Sequence, residues 1–170
     1  MTEVLKPTRG GFQRPFGCGW FVREYLIGRG PEGSPQIDSE IGAPQVDVFH
    51  FYKTALLEAT ARDRATRSEE KKAKIEGRTI DPDEINRLIQ KHLAMLPFKT
   101  NGCRYHSFVS YFGNLQRLGW VEPSGREEPS SLQDNYSDAP SRKFFRLTAA
   151  GLNASDADWA NPQVALYGKS

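Results

Sequence analysis

The sequence predicts a mainly α chain with a small β-wing, an α+β fold, and three observations carry that expectation. Apolar residues recur at helical spacing in three stretches between Gln45 and Leu118. Two of these stretches carry start or stop signals of their own. Toward the C-terminus, two short extended runs flank a long polar loop.

The elements divide the chain into an irregular arm with one strand (residues 1–44), a central domain (45–152) and a C-terminal tail (153–170). Residues 1–18 are rich in Gly, Pro and basic side chains. Gly19–Gly28 reads as a strand, with Trp20, Val22 and Leu26 on one face and Phe21, Tyr25 and Ile27 on the other. A Gly- and Pro-punctuated loop follows.

A long first helix opens the central domain near Gln45, with Val48, Tyr52, Ala55, Leu56 and Ala59 on its inner stripe. From Arg62 to Glu76 that stripe fades, which leaves either a solvated helix or a frayed connector ending at Gly77. The next helix has Asp81 as N-cap, Pro82 at its first position and Glu84 placed to complete a capping box. Its apolar face is Ile85, Leu88, Ile89, His92 and Leu93, and Pro97 closes it. A third helix runs from about Cys103 to Leu118 on Tyr105, Phe108, Phe112 and Leu115, with Gly119 as the residue that ends it. Trp120–Glu122 and Arg142–Leu147 are strands on either side of a long loop. Thr148 caps a short helix that Gly151 ends or interrupts, and the tail offers Trp159, Val164, Leu166 and Tyr167 for docking.

The order of helix, helix, turn, helix, strand, long loop and strand is the winged helix-turn-helix plan. The segment SFVSYFGNLQRLGWVEPSG, followed after a gap by RKFFRLTAAGL, resembles the recognition helix and wing of the PadR- and MarR-type transcription regulators. Leu115, Leu118, Gly119, Trp120 and Val121 carry the likeness, with Phe145, Leu147, Thr148 and Gly151 on the return. It covers residues 82–152 and departs from the family in a wing loop that is both longer and acidic.

The resemblance implies a DNA-binding protein, a sequence-specific regulator of prokaryotic or mobile-element type, whose helix at about 103–118 enters the major groove of double-stranded DNA. Arg104, Ser107, Tyr111, Asn114 and Arg117 form its polar stripe, with side chains able to read base edges and hold phosphates. Lys99 and Thr100 precede the helix, where backbone N–H groups attract phosphate. Arg142 and Lys143, at the base of the wing, are placed to track the backbone. The arm, with Arg9, Arg14, Phe12 and Phe16, reads either as a minor-groove arm or as a segment docked on protein. The cations from Arg62 to Lys74 read as a solvated face or as a second nucleic-acid surface.

Bulk properties bound these readings. The net charge is +2, yet the segment 124–141 alone carries −3, which leaves a mildly basic body. That acidic loop also fits a rival reading, a winged-helix interaction subunit that grips a protein partner within a larger assembly. A homodimer would form through the flanks 1–76 and 153–170. Cys18 and Cys103 make no framework of disulfides and fit a reducing compartment. The N-terminus has no secretory pattern, and no apolar run is long enough for a membrane span. The expected location is the cytoplasm, at the nucleoid in a prokaryote. No enzyme, cofactor or metal motif is present: Gly28, Gly30 and Gly33 lie in a loop, the Gly-Lys-Ser ends the chain, and Cys18, Cys103, His50, His92 and His106 lack zinc spacing.

Overall fold

The computed structural model describes residues 17–96, 104–129 and 141–167. In chain order the elements are α1 (Cys18–Leu26), β1 (Ala43–Pro44), α2 (Gln45–Glu76), α3 (Pro82–Met95), α4 (Tyr105–Arg117), β2 (Val121–Glu128), β3 (Arg142–Leu147), α5 (Ala149–Asn153), α6 (Asp156–Ala160) and α7 (Pro162–Tyr167). The chain is mainly helical with a small antiparallel sheet of order β1-β3-β2. No described helix is long and apolar enough to cross a membrane.

The segment Gly19–Gly28, expected as a strand, is largely helix α1. Cys18, Phe21, Val22, Tyr25 and Leu26 are all buried. They recur at i, i+3, i+4, i+7 and i+8, the helical period. Apolar residues stand on most sides of the segment, so an alternation of two fits it almost as well as the helical period. Phe21 packs on Tyr52 of α2 at 5.3 Å between ring centroids, and Tyr25 on Phe51 at 5.6 Å. Buried Glu24 lies 3.8 Å from Arg23 and 3.2 Å from Arg29, so its charge is compensated.

Helix α2 runs for 32 residues, about 48 Å at 1.5 Å per residue. It buries different faces in its two halves. The proximal half turns Val48, Phe49, Tyr52 and Leu56 into the main core, as the apolar stripe predicts. In the distal half Ala61 and Ala65 meet Ile89 of α3 in a second, smaller cluster, fringed by Ile85, Leu88, Leu93 and Leu96. Nothing of α3 belongs to the main cluster. The distal half is therefore one arm of a helical hairpin with α3, and neither a fully solvated helix nor a connector.

Glu69 fixes the bend of that hairpin. Its carboxylate is fully buried and accepts two hydrogen bonds from the Arg78 guanidinium, both at 2.8 Å. It accepts a third from the Asp81 backbone N–H at 2.7 Å. These donors hold its pKa down at about 2. Asp81 caps α3 as expected, accepting from the N–H of Asp83 at 3.0 Å, with Pro82 in the first turn. The expected capping box is not formed: Glu84 is engaged by Arg87, and the N–H it would have capped belongs to Glu69.

Helix α4 lies across proximal α2, with Phe108 5.4 Å from Phe49 and 6.0 Å from Tyr52 between ring centroids. Gly77 and Gly119 end α2 and α4 at φ of 66° and 74°, as the sequence predicts. The hairpin of β2 and β3 then returns under the core, pairing Val121 with Leu147 and Glu128 with Arg142. Strand β2 reaches further than its expected three residues, with a register shift between Pro123 and Glu127. Strand β1 adds a short edge on the other side of β3, where Ala43 faces Phe145. Gly42 makes that edge possible. Its φ is 74°, and a Cβ there would fall 1.6 Å from the carbonyl oxygen of Phe145. The tail closes the core: Trp159 of α6 is fully buried, 4.7 Å from Trp120 between ring centroids, and donates its indole N–H to the Gly151 carbonyl at 2.9 Å.

Candidate nucleic-acid interface

The candidate interface is the outer surface of α4. Phe108, Phe112 and Leu115 anchor the helix, all three in the main core. The opposite side follows from the 3.6-residue period: His106, Ser110, Gly113 and Arg117 make up its centre. Of these, His106, Ser110 and Arg117 are exposed, as are Val109 and Gln116 on one flank and Ser107 on the other. From Arg104 to Gly119 the chain contains no Asp or Glu. The face therefore presents Arg117, an imidazole and neutral donors with no carboxylate among them, and Arg104 is exposed at its N-terminal margin.

The residues expected there are only partly brought together. Arg104 is the N-cap and is exposed, as are Ser107 and Arg117. Asn114 is half-buried. Tyr111 is half-buried on the side of the helix that faces α1 and the tail. A Cβ added at Gly19 would lie 2.8 Å from its hydroxyl and 3.4 Å from Pro162. The stripe through residues 104, 107, 111 and 114 thus runs along the margin of the buried face instead of opposite it. His106, Ser110 and Gln116 are better exposed and were missed. Counting around the helix from Phe108, Phe112 and Leu115 finds them, because those three fix the inward direction. Lys99 and Thr100, like the arm residues Arg9, Phe12, Arg14 and Phe16 and the acidic loop tip, lie outside the described residues.

At the wing, strand β2 is acidic and strand β3 basic, and they face each other. Glu122 pairs across the ladder with Arg146, Glu127 with Lys143 and Glu128 with Arg142. Arg146 donates to Glu122 at 3.1 Å and to the Glu40 carbonyl at 3.1 Å. Arg142 lies 3.6 Å from both Glu128 and Asp47. The wing therefore neutralises most of its own charge. Arg142 is half-buried near Glu128 and Asp47, and Lys143 is the exposed cation of β3; both stand at the loop end of the hairpin, not at the base expected for them.

A surface groove of about 570 Å³ lies on the opposite side of the sheet, bordered by Ile27, Arg29, Glu40, Glu122, Arg146 and Leu152. Its central ion pair, Arg146 with Glu122, is internally satisfied. Among the described residues no group of three His, Cys, Asp or Glu side chains is placed to hold a metal ion. No family model matches the chain, and no curated protein or solved structure matches it either.

Proposed function

We propose that this chain is a winged-helix DNA-binding protein, a sequence-specific regulator that lays α4 in the major groove. The observation that carries the reading is the acid-free outer face of α4, held rigid by an inner face wholly in the core. A helix so placed fits the groove, and Arg, Asn, Gln and Ser are the side chains that read base edges there. The plan that the sequence resembles pairs α3 with α4; here only α4 and the β2–β3 hairpin that follows it keep their expected places. In this arrangement the helix beneath α4 is α2, and α3 belongs to the separate hairpin.

A second reading, a protein-gripping subunit, draws support from two features. The wing's cations are mostly occupied by its own acids. Tyr105 and Val109 leave 44% and 38% of their surface exposed on the same helix.

Salt titration separates the two. The native chain is expected to bind a random-sequence duplex at low salt and to weaken steeply as salt rises, because phosphate-bound counterions are released on binding. Arg104→Ala/Arg117→Ala removes two exposed cations from α4 without touching the core. It should lower affinity about tenfold and flatten the salt dependence by about two in slope, measured by fluorescence anisotropy. A folded native chain that ignores duplex DNA at low salt sinks the DNA reading and leaves the protein-binding one.

A further inference from the structure

The distal half of α2 carries a row of cations that continues the helix face on which α4 is docked. Phe49 touches α4 directly, its ring centroid 5.2 Å from that of Tyr105 and 5.4 Å from that of Phe108. Arg67 stands eighteen residues further along, which is five full turns and about 27 Å at 100° and 1.5 Å per residue. Lys71 stands at the same interval from Lys53, which is buried in the proximal half. Arg64 and Lys74 fill in the row at spacings of three and three on either side. All four are exposed.

The other face of this half-helix is occupied. Ala61 and Ala65 pack on Ile89, and Glu69 is buried against Arg78 and the start of α3. Lys72 leans toward that side, where its charge acts on Glu69 and Glu84. The hairpin with α3 thus turns Arg64, Arg67, Lys71 and Lys74 outward, on the side of α2 from which α4 projects. Asp63 and Glu70 border the row along one edge, and Asp63 pairs with Arg67 at 3.3 Å. Both partners of that pair are well exposed, so it is a weak competitor for a phosphate.

We propose that this row is a second nucleic-acid contact, in which the helical hairpin lies along the sugar–phosphate backbone of the duplex that α4 engages. It rests on the DNA reading of α4. The row spans eleven residues, Arg64 to Lys74, about 15 Å from end to end, enough to meet several successive phosphates. Lys and Arg are the side chains that neutralise backbone phosphates, and all four residues of the row are of these types. The occupant is duplex DNA because the row is cationic and continues the α2 face that carries α4, about 27 Å away, a separation that one duplex bridges with a single line of phosphates.

The test compares two double variants of the full chain on a duplex of about 30 base pairs, with folding checked by circular dichroism. Arg64→Gln/Lys71→Gln removes two cations of the row. Arg62→Gln/Lys91→Gln removes two exposed cations from the same hairpin but off the row. The row variant should lose about tenfold in affinity near 0.1 M salt, and its plot of log affinity against log salt should flatten by about two. The off-row variant should stay within about twofold of native. Equal losses in the two variants, as net charge alone would produce, overturn the proposal. So does a native slope in the row variant, and in both cases the DNA reading of α4 still stands. A native chain that does not bind the duplex at low salt overturns both.

Discussion

Tyr25 shows how one side chain can strain the economy of a core. It is fully buried, and its hydroxyl has no hydrogen-bond partner among the described residues. Burial, with the Asp47 carboxylate second, pushes its pKa up to about 12. An unsatisfied buried hydroxyl costs about 1–3 kcal/mol relative to a paired one. Tyr25→Phe keeps the ring stacked on Phe21 and Phe51 and removes that group. It should be neutral or stabilising by up to about 1 kcal/mol in urea denaturation. The pH dependence gives a second readout. The folded phenol ionises above its ordinary value of 10.0, so the unfolded chain loses its proton first as pH rises. The stability tied to the neutral form is complete below about pH 10 and is lost toward about pH 12. The Phe variant lacks this loss, so the difference between the two stability curves should open only above pH 10. A Phe variant destabilised by more than about 1 kcal/mol would show that the hydroxyl is satisfied after all.

At the scale of elements, the C-terminal tail is an integral part of the core. Trp159 is fully buried against Trp120 and bonded to Gly151, and Arg23 of α1 pairs with Asp156 at 2.6 Å. Trp159→Ala should cost about 3–5 kcal/mol in denaturant unfolding, far more than removal of a loosely docked tail would. The reading of Trp159 as available for docking was legible from its size and its apolar character alone. Elements with a single strong period were legible as well: proximal α2, α3, α4 and β3 stand where their apolar spacing and caps put them. Three features were not. Helix α1 is apolar on most sides, so its period of 3.6 is masked by an equally good alternation. Strand β1 has only two residues, too few for any pattern, and depends on Gly42 approaching Phe145. The buried face of distal α2 is built from Ala61, Ala65, Ala73 and Glu69, which read as a solvated helix because none is large and one is charged. The same cause blurred the interface. The polar positions of α4 were visible, but their bearing depended on which direction is inward, and only its three buried anchors fix that.

At the scale of the molecule, the main core and the hairpin of distal α2 and α3 are joined by α2 itself but share no hydrophobic cluster. The hairpin buries one large apolar side chain, Ile89, beside two alanines. The main core buries a dozen or more side chains, including Trp159, Tyr52, Phe108 and Phe112. Local stability follows buried apolar contact, so the hairpin should open without the body. Hydrogen exchange should show α3 and distal α2 exchanging well before α1, α4 and proximal α2. The Glu69 carboxylate adds a pH term to that opening. Its folded pKa, about 2, lies below its ordinary value of 4.5. Its contribution is therefore complete above about pH 4.5 and is lost as pH falls toward 2. Exchange in the hairpin should accelerate over that window relative to the body, once intrinsic rates are divided out. Glu69→Gln cannot accept both Arg78 donors as a carboxylate does, so it should bring the fast exchange to neutral pH and abolish the acid step. Uniform protection across α2, α3 and α4, or an acid step that survives in Glu69→Gln, would mean that the hairpin is locked to the body by something other than this carboxylate. Independent opening also bears on the proposed contact with DNA: a duplex that engages the row from Arg64 to Lys74 would have to slow exchange in the hairpin as well as in α4, because ligand binding stabilises the closed form.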